Sequence, residues 1–213
     1  MTEQDFDQAM IASAFAIAAR DGWHTLSISA AAREAGLPLT EARTRFPSKR
    51  ALAHRFGAML DQRALAVVSD DGSVRDRLFD MLMERYEAMR PHRAGIVSLL
   101  RSLPFDPCLG IEMACATRRS MRWMLEAAGV PTSGPRGHLR VSGLVFVWTW
   151  VMRTFERDES DDLSATMAAL DKALGRADEL ARFLAGQPTS APDQEETDES
   201  EPFEPEPDPV PEG

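Results

Sequence analysis

The sequence predicts an all-α fold: an N-terminal three-helix helix-turn-helix head, then a larger helical body, with about nine helices in all. Three observations carry this. Apolar residues recur at steps of three and four along almost the whole chain, no run sustains strict alternation, and Gly, Pro or acidic punctuation falls at helix-length intervals. Many alanines and a single tyrosine point the same way.

The elements follow in order. Phe6, Met10, Ile11, Ala14, Phe15 and Ile17 make 5–20 an amphipathic helix, which Gly22 closes as a left-handed C-terminal residue. Ser27 caps a second helix through Ile28, Ala31, Ala32 and Ala35, stopped by Gly36. After Pro38 a short helix spans 40–46, and Pro47 ends it. Ser48 caps a longer helix over 49–68. Further helices are expected at 74–89, 92–103, 105–128, 137–157 and 161–184. The last should start at Ser160-Asp161-Asp162, where acids suit the positive helix end. These elements divide into a head over 1–66 and a body over 67–186.

Residues 187–213 hold ten of the acids, seven of the fourteen prolines and one phenylalanine, Phe203. Too little apolar surface is available there to offset ordering, so a disordered acidic tail is expected. Without it the body is neutral, and the segment from Ser27 to Phe56 is locally +4 despite the chain's −10. Local sign sets the electrostatic footprint, so the acidic total does not exclude a nucleic-acid partner.

Several classes are disfavoured. The longest strongly apolar stretch, Leu144 to Met152, is far short of the ~20 residues of a membrane span. Glu3, Asp5 and Asp7 do not make a signal leader, and Cys108 and Cys115 read as small buried residues in a reducing cytoplasm. His24, His54, His92 and His138 are scattered, so no metal site and no cofactor are expected. No nucleophile elbow, phosphate loop or zinc-protease spacing occurs, which argues against an enzyme.

Three short helices joined by tight turns are the outline of a helix-turn-helix. Residues 27–35 would brace, and 40–46 would enter a major groove of double-stranded DNA. Arg43 and Arg45 suit phosphate or guanine edges. Thr40, Glu41 and Thr44 carry short groups for base edges, and Lys49 stands at a helix start that can hold phosphate.

At these residues the chain resembles the TetR family of bacterial regulators. The likeness rests on Phe15, Gly22-Trp23, Ser27-Ile28, Ala35-Gly36 and the run Phe46-Pro47-Ser48-Lys49-Arg50-Ala51-Leu52, in order over residues 6–56. It implies a homodimeric transcriptional regulator, of repressor type, released from a partly palindromic operator by a small apolar ligand. DNA contacts carried over by position are Ser27, Leu39, Thr40, Glu41, Arg43, Thr44, Arg45 and Lys49. The family usually has aromatic-His-Tyr before the phenylalanine, where Arg43-Thr44-Arg45 stands here.

In the body, Met89, Phe105, Met113, Met121, Trp123, Met124 and Trp148 either line a pocket for an apolar ligand or fill the core. The helix over 137–157 is apolar nearly all round. Trp148, Met152 and Phe155, with Met167, Leu170 and Leu174 of the last helix, are the candidate dimer seam; closing a monomeric core is the competing use. Leu103-Pro104, Trp123, Ala128-Gly129 and Arg157-Asp158-Glu159-Ser160-Asp161 also resemble ubiquinone-biosynthesis accessory proteins, which share the TetR fold and bind lipid. That resemblance implies a lipid-binding body without DNA reading. The intact basic cluster around 40–46 favours the regulator.

Overall fold

The computed structural model describes residues 2–69 and 71–184. Among them the chain forms α1 (Glu3–Asp21), α2 (Ile28–Glu34), α3 (Leu39–Arg45), α4 (Lys49–Ala66), α5 (Val74–Met89), α6 (Arg93–Ser102), α7 (Pro107–Ala127), α8 (Gly134–Phe155) and α9 (Ser164–Leu184). Single 3-10 turns at Arg90–His92 and Leu103–Phe105 bracket α6. No strand occurs among the described residues. The all-α expectation holds, and the tail expectation lies outside the described residues.

Local chemistry sets the starts. Ser27 and Ser48 accept from the amides of Ala30 and Ala51, while Thr2 with Asp5 and Ser73 with Asp76 form reciprocal capping boxes. The helix α8 begins at Gly134, earlier than the sequence suggests, because Pro135 sits in its first turn, where the missing amide is no loss. Conversely, α9 begins only at Ser164. Asp158 collects the amide and hydroxyl of both Ser160 and Thr166, which winds residues 158–163 into a turn ending at Leu163 with φ +53°.

The helix α1 packs on α2 and α6, α4 on α5 and α7, and α8 on α7 and α9. The head and body share one apolar core. At their junction Phe15 of α1 and Phe56 of α4 lie 4.7 Å apart, and the His92 ring stacks on one and meets the edge of the other, each at 5.5 Å. Close by, α6 crosses α1 so tightly that a Cβ on Gly95 would lie 2.3 Å from the Phe15 carbonyl oxygen.

In the body, Arg85 is buried. Its guanidinium donates to Asp61 and Ser120 and lies 5.0 Å over the Trp148 ring. Burial lowers its pKa to about 10, so it stays charged at neutral pH. Tyr86 stacks on the same Trp148 ring at 4.4 Å and donates its hydroxyl to the Trp148 carbonyl. Cys108 and Cys115, expected to be buried, are exposed on the outward face of α7, opposite the buried Leu109, Met121 and Met124.

Candidate nucleic-acid interface

The turn between α2 and α3 positions the head. Gly36, at φ +66°, lets the Leu37 amide reach back to the Ala32 carbonyl and the Gly36 amide to that of Arg33. Buried Ala31 and Ala32 hold α2 against α1, where Ser13 donates to the Ala31 carbonyl. Ala42 and Phe46 anchor the inner side of α3. Helical spacing then puts Leu39, Thr40, Arg43 and Thr44 together on the opposite, solvent-facing side, with Glu41 also exposed.

The candidate contacts separate into two groups. Arg43 is exposed, and its guanidinium donates to the Pro47 carbonyl just beyond its own helix. Thr44 donates to the Thr40 carbonyl. These residues, with Leu39 and Glu41, remain on an open face. Ser27 uses its hydroxyl as the α2 cap. Arg45 turns inward, with its side chain 18% exposed. It pairs with Asp7 at 2.8 Å and Glu3 at 3.3 Å and lies over the Phe6 ring. The hydrogen bond to Asp7 chiefly raises its pKa. Lys49 donates to the Trp23 and His24 carbonyls and fastens the turn after α1.

Sequence reasoning missed the acids that meet these cations. Asp7 is buried on α1 and takes Arg45 on one oxygen and Arg55, at 2.6 Å, on the other. Burial works to raise the Asp7 pKa, but the two guanidinium hydrogen bonds prevail and hold it below the ordinary carboxylate value. Arg50 pairs with Asp106 at 3.1 Å and Glu112 at 3.3 Å, both outside the head. Glu3, Asp7, Asp106 and Glu112 together offset the +4 counted along the sequence. A signal for Asp7 did exist: it falls in phase with Met10, Ile11 and Ala14 on the apolar face.

The body candidates do not converge on one cavity. Met89, Met121, Met124 and Trp148 are core, Met113 is half-buried, and Phe105 and Trp123 stand on the surface. For the seam, Trp148, Phe155, Leu170 and Leu174 are buried within this chain, Met152 is half-buried and Met167 is exposed. The reason is phase: Trp148 and Phe155 share the inward side of α8, whereas its outward side carries Leu139, Phe146 and Trp150.

With this arrangement in place, solved structures can be laid over it. A TetR transcriptional regulator from Nitrosomonas europaea superposes with a TM-score of 0.68 at 20% identity, covering 82% of this chain and 99% of that one. A TetR-family regulator from Streptomyces coelicolor gives 0.55 at 17%, covering 85% and 100%. A transcriptional regulator from Rhodococcus gives 0.54 at 18%, covering 80% and 94%. The chain has the TetR fold. No protein-family model and no curated protein matches the sequence, so the likeness is one of fold. In TetR-fold terms, α2 and α3 are the helix-turn-helix and α5–α9 the body. Among the described residues no helix is long and apolar enough to cross a membrane.

Proposed function

We propose that the protein is a homodimeric, sequence-specific DNA-binding regulator, acting as a repressor and released by a small ligand. The observation that supports this best is the exposed face of α3, where Leu39, Thr40, Arg43 and Thr44 stand clear of the core on a braced helix. On this reading Thr40, Arg43 and Thr44 read base edges, while the starts of α2 and α4 near Ser27 and Lys49 approach phosphates. The outward Leu139, Phe146 and Trp150 of α8, with Ala165 of α9 bordering the same groove as Trp150, form the dimer seam. The protein binds and does not catalyse, and works in the cytoplasm.

Selection from a random duplex pool at two salt concentrations tests the assignment. An enriched palindrome is expected, and Arg43→Ala should weaken binding to it by about 1–3 kcal/mol with relaxed base preference. Failure of any duplex to be enriched would remove the reading. A second reading, lipid binding without DNA reading, gains from the inward pairing of Arg45 and Arg50 and the exposure of Phe105, Trp123, Phe146 and Trp150. It expects a co-purified isoprenoid lipid in extracts of the native protein.

A further inference from the structure

The turn after α1, the first turn of α4, α6 and the Leu103–Phe105 turn enclose an open cleft of about 780 Å³. That size suits a small organic ligand. Its floor is apolar, with Ala18, Trp23 and Leu109 all buried there. Phe105 stands on its wall 89% exposed. Among the described residues three cations line the same cleft; Arg50 is neutralised by Asp106 and Glu112, and the other two are not paired with an acid. Arg101 of α6 makes no hydrogen bond or ion pair among the described residues. Lys49 uses two of its three N–H donors on the Trp23 and His24 carbonyls.

We propose that this cleft binds a small carboxylate with an apolar tail, the carboxylate drawn to Arg101 and Lys49 and the tail covered by Phe105. An apolar floor beneath unspent cations selects an amphipathic anion over a neutral oil. Asp106 borders the same cleft but is held by Arg50, so the charge left facing the cleft is that of Arg101 and Lys49. The site lies at the joint between head and body, and it stands whether or not the head reads DNA. Occupancy is linked to the head through Lys49, because the anion takes its third donor while the other two hold the turn that precedes α2.

Calorimetry on the full-length protein without DNA tests this, with octanoate as the probe and 1-octanol as its uncharged match. Octanoate should saturate one site per chain, and 1-octanol should bind more weakly. Arg101→Gln, at an exposed position, should weaken octanoate roughly tenfold and leave 1-octanol unchanged. Phe105→Ser should weaken both, with helicity retained in each variant by circular dichroism. Equal binding of the two probes, or full octanoate affinity in Arg101→Gln, would overturn the proposal. So would loss of binding in Trp150→Glu instead, which moves the ligand to α8. Octanoate binding that emerges only after truncation beyond residue 186 would make the acidic tail the occupant, and likewise refute it.

Discussion

Asp7 shows how one side chain sets the chemistry of the head. A buried carboxylate without partners would be costly, and Arg45 and Arg55 supply them from α3 and α4. Asp7→Asn should therefore lower stability by about 3 kcal/mol, measured by urea unfolding. Arg45→Met should also lower the melting temperature, and the double variant should fall little further than Asp7→Asn alone, because both remove the same contact. Additive losses would mean that Arg45 stabilises the head through Glu3 and Phe6 rather than through Asp7. A count of charge along 27–56 saw the arginines correctly but not their partners, since Asp7 lies 38 residues from Arg45 in sequence. What could be read for Arg43 is its exposure, because its hydrogen bond is local: among the described residues it donates to a carbonyl four residues on.

Elements were more legible than sites, because helix starts are written locally. The 74–89 helix matches the reading, and a local Ser73–Asp76 capping box sets its start. The start of α9 was misplaced because Asp158 takes its hydrogen bonds across the turn, a choice that depends on its burial. There burial alone would raise the carboxyl pKa, yet the bonds from Ser160 and Thr166 bring it down to about 2. Its stabilising contribution is therefore complete above the ordinary value near 4 and is lost as pH falls towards about 2. Asp158→Ala should cost about 1–3 kcal/mol at pH 7 and flatten the acid limb of the stability profile. On α8, Trp150→Glu should weaken self-association by roughly thirtyfold or more while the monomer stays folded, by sedimentation. Trp148→Glu should instead lower the stability of the monomer, because it removes the buried ring that packs on Tyr86 and Arg85. An intact dimer in folded Trp150→Glu would move the seam off this face.

At the scale of the molecule, the head is continuous with the body through Phe15, Phe56 and His92. Burial lowers the His92 pKa below 6.5, so the folded state resists protonation that the unfolded chain accepts. Stability should be full above about 6.5 and decline as the solution is acidified from there. Melting curves from pH 7 to pH 5 should show this decline, and His92→Phe should reduce it; an unchanged slope would place the acid sensitivity elsewhere. This junction was hidden from the sequence, where a break near residue 70 divides two helical regions and nothing marks α1 as the seat of α6. The Gly95–Phe15 crossing carries a practical corollary for anyone recombining such proteins. A graft made at the α4–α5 connection separates α1 from α6, whose backbone meets it closely at Gly95. The recipient's α6 would meet Phe15 with whatever side chain it holds, so a working hybrid has to bring residues 93–102 along with the head.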